Sequence, residues 1–371
     1  MTSISRERFT TGNAGNSGRA ATRGHGGFSL IELMVAIALG MIVMTVITMA
    51  FVGSSNARRS TDQASQQVEN GRYAMQLLSE DLQLAGYYSE FDPRPLATPA
   101  AKPDPCATDV ASLKAAMPLA LQGYDNPSAA TIAALTCVSD VRAGTDIVVL
   151  RRTSTCVAGS AGCDALSAGT PYFQASLCGG ATELGSASVS DYFAMDTTTG
   201  VGTTLIKHKK DCAALADYRR YITRIYFVAN NDIVGDGIPT LKRAELGAGA
   251  FTIVPLVEGI ENIQLEYGID TSAIPDGAPD VFTANPDTYV GAGAAGVAGN
   301  WRNVVAARIN LLARNTQTTP GYTDGKVYAL GNNADGSANT YTPSGAGLAY
   351  KRHMYVEEVR LTNPAQRGIT P

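Results

Sequence analysis

One uninterrupted apolar stretch stands out in the pattern of hydrophobic and polar positions along the chain. Residues 33–52 are twenty consecutive residues without a charge. As a helix rising ~1.5 Å per residue, they would span the ~30 Å hydrocarbon core of a bilayer. Arginines precede the stretch, which favours a cytoplasmic location for that end, and Arg58 and Arg59 weaken this asymmetry without reversing it. The pattern predicts one membrane-spanning helix over residues 28–53.

A second helical pattern follows without a break. Residues 56–85 contain no proline and one glycine, Gly71. Their apolar residues recur at helical spacing and form one stripe. The stripe consists of Val68, Met75, Leu78, Leu82 and Ala85. Gly86 is a typical helix stop, and prolines follow it. We therefore predict one helix from about residue 29 to about residue 85, whose amphipathic half, residues 54–86, packs on an apolar surface.

Strand patterns appear only later in the chain. They cover residues 146–151, 221–228, 263–269, 305–311 and 354–361. Within 263–269 the apolar residues Ile263 and Leu265 alternate with Gln264 and Glu266, which predicts a sheet with one covered and one solvated face. Residues 87–140 are expected to form long loops with a short helix, and the Gly/Ala-rich stretches 291–299 and 335–348 are expected to be loops. The fold class predicted is α+β, with the long helix packed on an antiparallel sheet.

Composition and charge narrow the setting. The chain has 371 residues, of which 17% are charged, and Gly and Ala are abundant, as in a long-looped extracytoplasmic body. The formal net charge is -4, and the first 27 residues are basic, so the remaining body is acidic. An acidic body argues against nucleic acid as a partner, because phosphate binding requires a basic face.

Three interpretations of the apolar stretch compete. A cleaved secretory signal has a shorter apolar region that ends in a small-residue site, and no good site is present here. A plain signal anchor explains the membrane-spanning length but not Glu32, a charged residue at the N-terminal end of the apolar run. In the third interpretation, cleavage occurs before the apolar run, so the helix stays on the mature chain.

The third interpretation comes with a family resemblance. Residues 26–40, GGFSLIELMVAIALG, closely resemble the type IV prepilin signature. The resemblance implies a leader over residues 1–27, cleavage after Gly27, N-methylation of Phe28, and a role in assembly for Glu32, the fifth mature residue. A carboxylate buried in a filament needs a partner, and the new amine of a neighbouring subunit is the natural one.

The body resembles one subgroup, the PilW-like minor pilins. Residues 68–88, 255–270, 300–314 and 359–365 are similar to it in order. The resemblance implies a pilin-like fold with a globular domain over 87–371, an inner-membrane protein with a periplasmic body, and a role in priming pilus assembly at the tip. The implied partners are other minor pilins, the major pilin, the prepilin peptidase and the inner-membrane assembly platform. Two alternatives stay open: a minor pseudopilin of type II secretion, and a pilin-anchored adhesin or binding protein.

Six cysteines follow the amphipathic half of the predicted helix, residues 54–86, which we call the stem. They lie at positions 106, 137, 156, 163, 178 and 212. An even number in an exported chain predicts disulfides, and the absence of a CxxC pair argues against a zinc ribbon. Fifteen pairings are possible. We expect sequence neighbours to pair, which gives Cys106–Cys137, Cys156–Cys163 and Cys178–Cys212. One or two free buried thiols remain the alternative.

The sequence lacks recognisable catalytic machinery. It contains no HExxH or GxSxG motif and no Cys/His pairing, so we expect no enzyme. The GAGAAG run at 291–296 lacks a preceding strand and a following helix pattern, so it does not predict a dinucleotide site. We expect no cofactor. Calcium is a lesser possibility at the acidic loops of residues 232–237 and of Asp270, Asp276 and Asp280.

Overall fold

The computed structural model describes residues 27–369, apart from Thr199 and Val201, and the side chains of residues 367–369 are not described either. Residues 1–26 of the predicted leader therefore lie outside the described residues. The chain divides into two compact units, Met1–Arg58 and Arg59–Pro371. The described part of the first unit is a single helical segment. The second unit contains the rest of that helix and all the described strands.

The long helix has the bounds that the sequence predicts to within two residues. Within the described range the α-helices are α1 (Leu30–Gln83), α2 (Val110–Ala116), α3 (Ala129–Ala134), α4 (Gly296–Arg302) and α5 (Thr362–Ile369). Helix α1 begins after Ser29, whose hydroxyl oxygen accepts a hydrogen bond from the N–H of Glu32 at 3.2 Å. Beyond its last residue, Gly86 adopts φ +73°, which glycine reaches without strain.

The strands form two main antiparallel sheets and a separate hairpin. They are β1 (Leu121–Tyr124), β2 (Ile147–Thr153), β3 (Tyr172–Ala175), β4 (Phe193–Asp196), β5 (Arg219–Ala229), β6 (Thr240–Leu246), β7 (Phe251–Glu258), β8 (Ile260–Ile269), β9 (Val281–Thr283), β10 (Val304–Arg314), β11 (Tyr328–Asn332), β12 (Ala338–Tyr341) and β13 (Arg352–Arg360). The 7-stranded sheet has the order β1-β2-β5-β3-β4, and β6 joins β5 to β7. The 4-stranded sheet has the order β13-β10-β8-β9, and β11 pairs with β12. The predicted α+β class is confirmed.

The second half of α1 packs into one core with both main sheets. Ala74, Leu78 and Leu82 lie in the same buried cluster as the inward side chains of β8 and β10 and several side chains of β2, β5 and β6. The predicted stripe is right except at its start. Val68 is 36% exposed, and the buried face begins instead with Gln67 and Gly71. The stripe rotates because the helix must leave room for Tyr355, whose ring lies directly against Gly71.

The opposite face of β8 is also covered, contrary to the prediction of a solvated face. Gln264 and Glu266 are buried there. The hairpin β11–β12 provides the cover: Asn332 donates to Glu266 at 2.9 Å, and Asn339 donates to Gln264 at 2.9 Å. The predicted alternation of apolar and polar residues is correct. However, a polar face that is buried under another element has the same sequence pattern as a face exposed to solvent.

Several predicted loops contain regular structure. Residues 87–140 contain two short helices, α2 and α3, where one was expected, and also strand β1. Residues 291–299 include the start of α4. The expectation that no helix follows the GAGAAG run was therefore wrong. Residues 335–348 include β12, and strands β6 and β7 lie in a region for which the sequence predicted no strand. These elements are short or bordered by glycine, so their periodicity is weak, and packing against the larger sheets determines their conformation.

The six cysteines form three disulfides. They are Cys106–Cys137, Cys156–Cys163 and Cys178–Cys212, with sequence separations of 31, 7 and 34 residues. These are the neighbour pairs expected from the sequence, and the structure contains no free cysteine. All three lie between α1 and β5, in the part of the chain with the fewest long elements.

Candidate assembly segment and stem

The start of α1 presents the predicted site residues to the surroundings. Phe28 is 85% exposed, and Glu32 lies in the first turn of the helix, on the exposed surface of the described segment. The backbone N–H of Glu32 is satisfied by Ser29, but its carboxylate has no hydrogen-bond or ion-pair partner among the described residues. A carboxylate in the first helical turn is favoured by the helix dipole.

The apolar part of α1 has no cover within its own unit. Every large apolar side chain from Phe28 to Val52 is at least 51% exposed. The helix is long enough and apolar enough to cross a membrane. Thr45 and Thr48 donate their hydroxyls to the carbonyls of Met41 and Met44 at 2.8 Å, which removes two polar groups from the surface. Such a surface requires lipid or the apolar helices of other chains.

The stem half of α1 is joined to the 7-stranded sheet through a buried carboxylate. Asp81 is 4% exposed. It accepts hydrogen bonds from Arg152 on β2 at 2.9–3.0 Å, and from Arg224 and Tyr226 on β5 at 2.9 and 2.6 Å. Burial by itself would raise the pKa of Asp81, but the charges of Arg224 and Arg152 and the Tyr226 hydroxyl together hold that pKa below its usual value. Asp81 is therefore an ionised bridge between the stem and two strands.

Two further contacts connect the stem to the 4-stranded sheet. Gln67 donates its side-chain amide to the carbonyls of Ala313 and Lys351, both at 2.9 Å. One helical turn later, Gly71 lies against Tyr355. A Cβ at Gly71 would come within 2.1 Å of the Tyr355 ring. The stem glycine is therefore a close-approach site, where the ring of an edge strand takes the place of a side chain.

Sequence reasoning did not find Asp81, Gln67 or the role of Gly71. Asp81 lies among other polar residues of the stem, and a lone Asp in a helix is usually solvated. Only its spacing from Leu78 and Leu82, which places it on the edge of the buried stripe, was visible in the sequence.

In the acidic loops considered for calcium, the Asp carboxylate oxygens accept hydrogen bonds from backbone N–H groups. Asp236 accepts from the N–H groups of residues 232, 233 and 238 at 2.8–3.2 Å. Asp280 accepts from the N–H of Thr271 at 2.7 Å, and Asp270 accepts from the N–H of Gly277 at 2.9 Å. In the part of the chain that the structure describes, no three His, Cys, Asp or Glu side chains converge to hold a metal ion. These loops are turns closed by Asp side chains.

Comparison with known proteins gives matches at both ends of the helix–sheet architecture. Residues 22–48 match the prokaryotic N-terminal methylation motif. Residues 225–363 match the type IV pilus-assembly protein W family, PilW. Over these two segments the chain is similar to PilW-like type IV pilins. The PilW match extends from within β5 through β13 and includes the predicted segments 255–270 and 300–314, whereas the stem segment 68–88 lies outside it.

Other comparisons add little to this assignment. No curated protein matches the chain. A type IV-like pilin from Thermus thermophilus aligns over 82% of this chain and 97% of its own, with 12% identity and a TM-score of 0.30. That score is too low to support a shared fold, so the α+β description depends on the helix and sheets themselves. The apolar helix and the methylation motif fit a membrane-anchored, PilW-like pilin with a globular domain, and domains of this family are structural.

Proposed function

We propose that this PilW-like chain is a minor pilin that takes part in priming the assembly of a type IV pilus, at the tip and together with other minor pilins. The observation that supports the proposal best is the start of α1. It combines an uncovered apolar helix with one carboxylate, Glu32, that has no partner among the described residues. The match to the pilus-assembly family supports assembly over a solitary anchor.

Glu32 is the docking charge in this proposal. Cleavage after Gly27 creates an amine at Phe28, four residues before the carboxylate. When α1 leaves the bilayer and packs among other pilin helices, an unpaired carboxylate would be buried at a cost of several kcal/mol. Pairing with the terminal amine of a neighbouring subunit removes that cost only in one axial register. Glu32 would thereby set the register in which the subunit is added.

The proposal places the chain in the inner membrane before assembly, with residues 87–371 in the periplasm, and in the extracellular pilus afterwards. Its partners are the prepilin peptidase, the assembly platform, the major pilin and other minor pilins. The three disulfides support an oxidising compartment for the body.

Gene deletion with complementation tests the proposal. Cells that lack the chain should carry few or no surface filaments, measured as major pilin in the sheared fraction, and the wild-type chain should restore them. Normal filaments together with a secretion defect would support a pseudopilin. Normal filaments with lost adhesion would support a display role, and either result would contradict priming.

A matched pair of variants tests the docking charge. Glu32→Ala should remain inserted and cleaved but restore few filaments. Glu69→Ala removes an equal charge from an exposed position on the stem half of the same helix and should restore them fully. Equal restoration by the two variants would show that Glu32 has no special role.

A further inference from the structure

The two main sheets have five edge strands in the described chain, and four of them are short or interrupted. Strands β1 and β4 have 4 residues each, and β9 has 3. Strand β7 has 8 residues, but it carries Pro255 and a register shift opposite Leu241 and Lys242. Proline, bulges and short length are the usual protections of an edge against pairing with another chain.

The edge strand β13 has none of these protections. It spans 9 residues without a proline, and its pairing with β10 runs from Arg314–Arg352 to Ala306–Arg360 without a register shift. It carries no lysine, and Val356 at its centre is 51% exposed. A long, regular edge with a central apolar residue is a template for strand addition.

The register identifies the open hydrogen-bonding groups. The N–H of Leu361 bonds to the carbonyl of Val305 at 2.8 Å, so odd-numbered residues of β13 direct their backbone groups toward β10. Even-numbered residues direct theirs outward. Within the described chain, the backbone N–H and C=O groups of Met354, Val356 and Glu358 have no partner. They form a row of donors and acceptors at the spacing that an extended chain requires.

A groove between this edge and the stem gives the row a side-chain pocket. The groove has a volume of about 370 Å³. The stem contributes Arg72, Met75 and Gln76, and the strand contributes Tyr355, Val356 and Glu357. A side chain that points from an added strand toward the stem would enter this groove. Because Met75 lines the groove, an apolar side chain suits that position.

We propose that the open edge of β13 binds an extended segment of a different pilin-family subunit, which adds a strand to the 4-stranded sheet and places an apolar side chain in the groove beside Met75. This inference rests on the proposed function, since it assigns one contact of the assembled minor-pilin complex.

A second copy of this chain does not fit the same edge. Two identical edges pair antiparallel about a two-fold axis perpendicular to the sheet. The stem packs on the face of that sheet, so its axis lies along the sheet and would be reversed in the second copy. Two stems in opposite directions cannot both enter one membrane. Pairing of β13 with β13 of a second copy is therefore excluded, and the occupant that we assign is a segment of a different subunit.

Hydrogen exchange measured on two samples of the full-length chain tests the proposal. The samples are the chain purified in detergent and the chain in the sheared filament fraction, and peptides covering residues 352–361 are compared. In detergent the amides of Met354, Val356 and Glu358 should exchange fast, whereas those of Tyr355 and Glu357 should be protected by β10. In filaments the three outward amides should exchange at least about tenfold more slowly.

The outcomes separate this inference from the function on which it rests. If the chain is absent from filaments, the proposed function fails. If the chain is present and the outward amides still exchange fast, only the strand addition is wrong. Slow exchange in detergent that is lost on dilution would identify a second copy as the occupant and overturn the assignment to a different subunit.

A proline variant provides a second test that does not depend on exchange rates. Val356→Pro removes an outward N–H that β10 does not use, so the sheet should tolerate it. We expect an unchanged fluorescence spectrum of Trp301, normal leader cleavage, and at least about a fivefold loss of the chain from filaments, since one added-strand bond is lost and the ring blocks approach. Val356→Thr keeps the N–H and a β-branched side chain and should incorporate normally. Equal incorporation of both variants, with the spectrum unchanged, would overturn the proposal.

Discussion

Replacing Asp81 by asparagine tests whether the stem is bound to the sheets by a buried ion network. Asp81→Asn keeps the size of the side chain but removes its charge. The amide can still accept one hydrogen bond, yet its NH₂ group would then face the guanidinium groups of Arg152 or Arg224. Arg152 is itself 7% exposed, so its charge would be left buried and unbalanced.

The structure sets the size of the expected effect. Removing one partner of a buried ion pair costs about 3–5 kcal/mol. Arg224 retains Glu245 at 2.7 Å, which limits the damage to Arg152 and the Tyr226 hydroxyl. We therefore expect a loss near the lower limit, about 3 kcal/mol of the free energy of unfolding. With a urea m value of about 3 kcal/mol per M, the unfolding midpoint should fall by roughly 1 M.

The chain contains its own probe for this measurement. Its single tryptophan, Trp301, is 2% exposed and packs edge-on against Tyr267 at 4.6 Å. Urea unfolding of the full-length chain in detergent can be followed by its fluorescence. The control is Glu80→Gln, at the neighbouring residue on the exposed side of the stem. This variant should change the free energy of unfolding by less than about 0.5 kcal/mol. Equal shifts for both variants would refute the reasoning.

The pH dependence of the same comparison follows from the lowered pKa of Asp81. The ordinary value is 3.8, and the folded value is below it. A lowered pKa contributes stability that is present above the unfolded pKa and is lost as the pH falls through the folded pKa. The difference in the free energy of unfolding between wild type and Asp81→Asn should therefore be largest near neutral pH and should become smaller below about pH 4.

Three further predictions concern the body. Burial raises the pKa of Asp146 to about 8. The free energy of unfolding of the wild-type chain should therefore fall by up to about 1.4 kcal/mol per pH unit as the pH rises from 4 toward 8. This slope should be absent in Asp146→Asn, and parallel pH profiles of the two chains would contradict the assignment. Gly71→Ala should destabilise the chain by about 1–2 kcal/mol, because the new methyl group displaces the Tyr355 ring. In a Tyr355→Ala background the same substitution should stabilise the chain by up to about 1 kcal/mol. An effect of the same sign in both backgrounds would exclude the close approach. Replacing both cysteines of Cys106–Cys137 by serine should lower the free energy of unfolding by about 3.7 kcal/mol, against about 2.5 kcal/mol for Cys156–Cys163. The first loss is larger because the longer loop gains more freedom on unfolding. The opposite order in urea unfolding would contradict the pairing.

The sequence predicts the long elements because each has a strong local pattern. The apolar run, the stripe ending at Ala85 and the glycine stop at Gly86 define α1 without tertiary information. The alternation in β8 and β10 likewise survives, since Ile263, Leu265 and Ile309 all lie in the core. These segments are long enough for periodicity to exceed the noise of single residues.

The remainder depends on contacts between residues far apart in the chain. Val68 fits the helical stripe by spacing, yet the ring of Tyr355, 287 residues later, shifts the buried face to Gln67 and Gly71. Glu266 follows a solvent-facing pattern but is buried under a hairpin that begins at Tyr328. No local rule shows which polar residues will find partners.

The candidate site divides in the same way. Gly27, Phe28 and Glu32 are readable from a compact motif because processing requires a linear signal, and their roles stay predictions. The bridge at Asp81 and the open edge of β13 are visible only when strands are placed in register. A motif can identify where a chain is processed, whereas its contacts with other subunits follow from the folded surface.

The mature N terminus is the most direct test of the central claim that this chain is a processed pilin subunit. The chain should be recovered from sheared filaments and analysed by mass spectrometry of its N-terminal peptide. We predict a peptide that begins at N-methylated Phe28, and a Gly27→Ala variant that keeps its leader and is missing from filaments. A mature chain that begins at any other residue, or that reaches filaments with its leader attached, would contradict the account.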